Sequence, residues 1–223
     1  MKIAFLGNSL VAGSYGGSFV NEVAIHLPQH NILNAGVNGS TVLNLLQRLD
    51  NVLEQQPDIV VISCGGNDAI SYSQPETRRF YERAMYVPDG IVSPERFIVA
   101  FRDLLTRLQL AQVMPYVILP PIEHNRVVVS TLRDYNRMMA EACATFNLPT
   151  LDLMSALVPD HIPDRPPLTQ ATINLIGQRV RSGWNDYETE RERGGFTYSF
   201  DGLHFTPETA RRVGAMVVDF LNV

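Results

Sequence analysis

Five short apolar runs alternate with longer segments whose apolar residues recur at helical spacing, and this alternation narrows the choice of fold more than any other property of the chain. The runs are residues 2–6 (Lys-Ile-Ala-Phe-Leu), 31–35, 58–64 (Asp-Ile-Val-Val-Ile-Ser-Cys), 115–119 and 148–152. Each has the length of a buried strand rather than a helix. Between them, Val42, Leu45, Leu46, Leu49, Val52 and Leu53 fall on one helical face. Phe97, Phe101, Leu104, Leu105 and Leu108 form a second such face, and Leu132, Tyr135, Met139, Ala142, Cys143 and Phe146 a third. A last helix is marked by Ala210, Val213, Val217 and Leu221, with Thr206 as its N-cap and Pro207 at its first position. Strands alternating with helices predict one α/β domain over residues 1–223: a five-stranded parallel sheet, right-handed crossovers, and helices on both faces.

In such sheets functional groups gather at the carboxyl ends of the strands. Ser9 lies just past the first run, Gly39 a few residues past the second, and Gly66, Asn67 and Asp68 follow the third. All of these segments are expected to open on one edge of the sheet.

The alternation fails between about residues 154 and 200. Apolar periodicity is weak there, four prolines fall within 159–167, and a charged run extends from Glu188 to Arg193. A long loop inside a compact domain is commonly functional. The sequence therefore predicts a lid-like insertion that covers or borders the site.

The totals exclude several classes. A net charge of -5 argues against a nucleic-acid backbone as partner. No apolar run approaches the roughly eighteen residues of a membrane span. Strand-like sequence beginning at Lys2 is not expected of a cleavable signal peptide. Cys64 and Cys143 sit on separate predicted elements and imply no disulfide, so a cytoplasmic location is expected. His26, His30, His124 and His161 lack metal-ligand spacing. The glycines at 13, 16 and 17 do not form a dinucleotide-binding pattern. No metal or cofactor is called for.

The residue types that remain point to acyl chemistry. A serine hydroxyl is a poor nucleophile at neutral pH unless an adjacent base takes its proton. Asp201-Gly202-Leu203-His204 supplies a carboxylate three residues before an imidazole. In that arrangement Asp201 would fix the tautomer of His204, and His204 would activate Ser9. Backbone N–H groups at Ser9 and Gly39 and the amide of Asn67 are candidate donors to a developing oxyanion. Taken singly, each has a bland reading as a turn, cap or core residue.

Four ordered blocks carry a family resemblance. Gly7-Asn8-Ser9-Leu10, the glycine block from Asn34 to Thr41, Gly65-Gly66-Asn67-Asp68 and Asp201-Gly202-Leu203-His204 together resemble the SGNH hydrolases, also called GDSL esterases and lipases. The Gly-x-Ser-x-Gly elbow of another hydrolase class is absent, because Val11 occupies its last position. The resemblance implies a flavodoxin-like three-layer α/β/α fold and metal-free ester hydrolysis through an acyl-enzyme. It implies Ser9, Asp201 and His204 as catalytic residues and Ser9, Gly39 and Asn67 as the oxyanion hole. Asn8 stands where the family usually has aspartate, which predicts a local change in hydrogen bonding.

The expected substrate is a small-molecule or glycan acyl ester, with a lean toward a short-chain or carbohydrate acetyl group because the insertion is polar. Lysophospholipase and thioesterase activity, acyl transfer, and a non-catalytic flavodoxin-like binding module are the alternatives. Asn8, Asp68, His124, Trp184 and Tyr198 are further candidates for substrate contact.

Overall fold

Parallel pairing organises the chain, as the computed structural model, which describes residues 1–223, shows throughout. The first half runs β1 (Lys2–Gly7), α1 (Ser9–Ala12), α2 (Phe19–His26), β2 (Asn31–Gly36), α3 (Val42–Gln47), α4 (Leu49–Leu53), β3 (Ile59–Ser63), α5 (Gly66–Ser73) and α6 (Arg78–Ala84). The second runs α7 (Pro94–Leu110), β4 (Met114–Leu119), α8 (Arg126–Thr145), β5 (Thr150–Asp152), α9 (Leu153–Leu157), α10 (Gln170–Arg181), α11 (Tyr187–Gly194) and α12 (Pro207–Leu221). The five strands form one sheet in the order β2-β1-β3-β4-β5, every pair parallel. The expected three-layer α/β/α fold is the fold observed.

Strand side chains alternate between two cores, because successive residues point to opposite faces. Ala4, Leu6, Val60 and Ile62 pack with Leu45, Phe97, Leu132 and Met139 of α3, α7 and α8. Ile3, Phe5, Val61 and Ile118 pack on the other face with Phe19, Val23, Val213 and Val217 of α2 and α12. Both faces are covered, which is why the strand runs read as continuously apolar.

Register then places the loops. Gly7 pairs with Gly36 on one side and Ser63 on the other, and Ser63 pairs with Ile118. The chain therefore leaves β1, β2 and β3 at one level. The segments carrying Ser9, Gly39 and Asn67 start side by side.

Two stretches differ from expectation. The helical face spanning 42–53 is broken into α3 and α4 at Arg48, which has φ -104 and ψ 9. Its guanidinium turns toward the strand ends, donating to Ser40 Oγ at 3.0 Å and Gly7 O at 2.5 Å. Burial lowers its pKa to about 10. The stretch from 154 to 200, expected as loop, contains helices α10 and α11. Thr169 caps α10 by accepting from the N–H of Thr172. Helix α11 buries no residue; the ion pair Arg179–Glu190 (2.8 Å) ties it to α10, and Arg191–Glu188 (3.1 Å) lies within the helix. Neither helix shows a strong apolar stripe, because neither covers the main core. No helix is long and apolar enough to cross a membrane.

Candidate active site

Ser9 follows Asn8 at the end of β1 and opens α1. Asn8 is buried, and its side-chain oxygen accepts from the N–H of Leu10 at 3.0 Å, capping the turn that holds Ser9. An amide oxygen satisfies this cap without a charge, so the cap itself does not require the aspartate usual at this position.

His204 reaches Ser9 from the opposite end of the chain. Its Nε2 lies 2.9 Å from Ser9 Oγ, and its Nδ1 lies 2.7 Å from Asp201 Oδ2. The other Asp201 oxygen accepts from the backbone N–H groups of Leu203 at 2.9 Å and His204 at 2.7 Å. With Nδ1–H donating to the carboxylate, Nε2 is left to accept from the serine hydroxyl. Burial alone would raise the Asp201 pKa. The His204 ring and the hydrogen bonds from His204 and Leu203 outweigh it and hold the carboxyl below its ordinary value. The imidazole is enclosed by Tyr15, edge-on at 5.1 Å, and Phe200, stacked at 6.0 Å.

The other two loops converge on the same point. Asn67 donates from Nδ2 to Ser40 O at 3.1 Å, while its Oδ1 accepts from the buried Tyr81 hydroxyl at 2.8 Å. Because a carbonyl oxygen only accepts, the bond to Ser40 O fixes which end of the amide is nitrogen, and the Tyr81 hydroxyl donates to the other end. Gly39 has φ +78, a conformation that favours glycine, and an added Cβ would come within 3.0 Å of Met85 Sδ. Ser9, Gly39, Asn67 and His204 all line one cavity of about 350 Å³. Ile70, Phe80, Met85 and Ile122 contribute apolar wall, and α10 supplies Ile173, Asn174, Gln178 and Arg181.

A sequence profile of the GDSL-like lipase/acylhydrolase family matches residues 5–212. The chain belongs to that family. Membership places it among ester-hydrolysing enzymes. A lipase/acylhydrolase from Enterococcus faecalis is similar in structure at 21% identity, with a TM-score of 0.65 and 98% of this chain and 93% of that one covered. The acetylxylan esterase Axe2 from Geobacillus stearothermophilus is similar at 17% identity and TM-score 0.66, over 100% and 94% of the two chains. The acetyl xylan esterase AlAXEase is similar at 15% identity and TM-score 0.66, over 98% of each. At these identities the likeness is one of fold. No curated protein sequence matches the chain.

The remaining candidates of this GDSL-family chain lie around the cavity rather than on its wall, apart from Asn8. Asp68 is fully buried and accepts from Val42 N–H at 2.9 Å and Gly65 N–H at 3.1 Å, joining the loops after β2 and β3. Burial raises its pKa to about 7 against those hydrogen bonds. His124 lies beneath the Asp201–His204 turn, where Gly202 (φ +85) leaves no room for a side chain; an added Cβ would lie 2.7 Å from His124 Cα. Burial, aided by Arg165 and opposed by Asp201, lowers the His124 pKa to about 4. Trp184 packs outside the cavity against Tyr187, Phe200 and the Arg179 guanidinium. Tyr198 is enclosed in the core beside Phe205. No group of three or more His, Cys, Asp or Glu side chains is placed to hold a metal ion.

Sequence reasoning did not find Tyr81, Tyr15 or the cavity face of α10. Tyr81 had no motif to mark it. Ile173, Gly177 and Arg181 are spaced as one helical face, but the proline-rich flank hid the helix.

Proposed function

We propose that the chain is a serine esterase that hydrolyses carboxylic esters through an acyl-enzyme, using side chains and backbone amides alone. The observation that carries this reading is the unbroken hydrogen-bonded series from Asp201 through His204 to Ser9 at a cavity. Ser9 Oγ attacks the acyl carbonyl carbon as His204 Nε2 takes its proton. Asp201 stabilises the imidazolium and holds its tautomer. The N–H groups of Ser9 and Gly39 and the Asn67 amide hold the oxyanion. As the tetrahedral intermediate collapses, His204 returns the proton to the departing alcohol. Water then gives a proton to His204, attacks the acyl-enzyme, and releases the acid and Ser9.

A short-chain or carbohydrate acyl ester, with acetyl favoured, is the substrate class we propose. The polar edge of the cavity supports it: Asn38, Asn174, Gln178 and Arg181 offer hydrogen bonds to a polyhydroxylated alcohol. The acetylxylan esterases among the structural neighbours agree with that lean. A lipolytic reading draws on the apolar wall of Phe80, Met85 and Ile70. We further assign a cytoplasmic location, on the two free, buried thiols of Cys64 and Cys143.

The test is covalent. A fluorophosphonate should label the wild type at Ser9 and leave Ser9→Ala unlabelled. Absence of labelling, with no hydrolysis across an acyl-ester panel, would favour a non-catalytic binding module. Rates on p-nitrophenyl acetate through palmitate, set beside acetylated sugars, decide the substrate class. A preference for long chains sinks the acetyl assignment.

A further inference from the structure

The loop that carries Asp201 and His204 has no strand or long helix of its own. It is preceded by α11, which buries nothing, and its single β-type contact is an isolated bridge between Ser199 and Phe205. Something must hold it, because a misplacement on the order of 1 Å between base and nucleophile costs about a hundredfold in rate. The buried Glu123 carboxylate meets this segment. Its Oε1 accepts from Tyr198 N–H at 3.0 Å, Ser199 N–H at 2.9 Å and Ser199 Oγ–H at 2.6 Å, and its Oε2 accepts from Thr197 N–H at 2.9 Å. Ser199 Oγ in turn accepts from Gly202 N–H at 2.9 Å. The backbone closes the loop from the other side, with Glu123 N–H donating to Gly202 O at 3.0 Å.

We propose that Glu123 is a positioning residue for the catalytic turn, locking Asp201 and His204 to the end of β4. The inference rests on the esterase reading above. Three consecutive N–H groups converging on one carboxylate form an anion nest, and hydrogen bonds to a charged acceptor are roughly twice as strong as neutral ones. Only an acceptor with no N–H of its own satisfies all four donors. Glutamine in this place would turn an amide N–H against Thr197 N–H or against the Ser199 donors. Glu123 is itself fixed. It follows Pro120, Pro121 and Ile122, which line the cavity at the end of β4. Arg165 donates to the carbonyls of Glu123 at 3.3 Å and His124 at 3.1 Å while reaching Gly194 and Gly195 with its other nitrogen. The rigid sheet is thus connected through one carboxylate to the turn that presents the base. Glu123 touches neither Ser9 nor His204, so its effect on the reaction passes through geometry.

The decisive variant is Glu123→Gln in the full chain. Its kcat on p-nitrophenyl acetate should fall by about tenfold to a hundredfold, KM should stay within about threefold, and fluorophosphonate labelling of Ser9 should slow by the same factor as kcat. The far-UV circular dichroism should match the wild type. The His204 Nδ1–H proton, hydrogen-bonded to Asp201, gives a readout that needs no activity: its downfield NMR resonance should be present in the wild type and shifted or broadened in Glu123→Gln. A folded Glu123→Gln with kcat within about twofold of wild type and an unchanged resonance overturns the proposal. Should that variant fail to fold, Ser199→Ala decides. It removes one of the four donors, should lower kcat about threefold and perturb the same resonance, and overturns the proposal if it does neither. A wild type that shows the resonance but never labels would count against the esterase reading, leaving the resonance comparison to decide the role of Glu123.

Discussion

Replacing Asp201 by asparagine tests the proposed base in a way that the geometry makes quantitative. Asparagine has one acceptor oxygen where aspartate has two, and both aspartate oxygens are in use: Oδ1 by the N–H groups of Leu203 and His204, Oδ2 by the ring. The amide therefore has two orientations. In the first, its oxygen keeps both backbone donors and its NH2 faces Nδ1. The ring proton is then forced onto Nε2, where it points at Ser9 and cannot accept the hydroxyl proton. In the second, the oxygen faces Nδ1–H, but the NH2 confronts two backbone donors and both hydrogen bonds are lost. At about 1 kcal/mol each, those losses favour the first orientation by about 2 kcal/mol, leaving the competent tautomer at about 3%. Loss of the carboxylate charge beside the imidazolium adds about 2–3 kcal/mol to the barrier, so kcat should fall by about 10³–10⁴. The first orientation preserves the turn, and the melting temperature should move by only a few degrees. The assay is steady-state hydrolysis of p-nitrophenyl acetate together with thermal unfolding. A folded variant that retains more than about a tenth of wild-type kcat would refute the tautomer reasoning.

Two further outcomes follow from buried groups. Tyr81→Phe removes the only side-chain donor to Asn67 Oδ1, leaving the Nδ2 bond to Ser40 O to hold the amide by itself. Turnover should drop about threefold to tenfold with stability reduced by about 1–2 kcal/mol, and unchanged kcat in the folded variant would show that the amide is held well enough without the Tyr81 hydroxyl. The pH dependence of stability should show two opposing slopes. The folded pKa of His124 is lowered to about 4, so the unfolded chain binds the extra proton, and stability is lost as pH falls from about 6.5 toward 4. The folded pKa of Asp68 is raised to about 7, so the native state holds the extra proton, and stability is lost as pH rises from about 4 through 7. In His124→Gln the first slope disappears: relative to wild type, the change in unfolding free energy from pH 4.5 to 6.5 should be more negative by about 2 kcal/mol. Urea titrations at pH 4.5, 5.5 and 6.5 check this, and parallel profiles for the two proteins would contradict it.

Much of the architecture was legible because its signals are local. The run Ile59–Ile62 is apolar at every position since the strand is buried on both faces, and α8 and α12 show their stripes because they lie on the core. The four sequence blocks stand at strand ends and at one turn, where chain order fixes position. Helix α10 was not legible. Its inward residues face a cavity rather than a packed core, so Ile173 and Ile176 give a fragmentary stripe. Asp68 could be placed after β3 and read as a candidate substrate contact, but its tie to the N–H of Val42, 26 residues earlier at the start of α3, was not legible.

The sequence by itself thus determined the number and direction of the strands, the class of fold, and the residue types available for acyl chemistry. Periodicity and turn chemistry act over a few residues, and each strand end carries its loop with it. Only the tertiary structure decided that His204 lies 2.9 Å from a serine 195 residues earlier, that the Tyr81 hydroxyl donates to Asn67, and that Glu123 gathers three successive amides just before the turn that carries Asp201 and His204. Those contacts depend on how the sheet twists and how loops of unrelated sequence meet above it, and nothing in a local window of residues encodes the partner at the other end of a hydrogen bond.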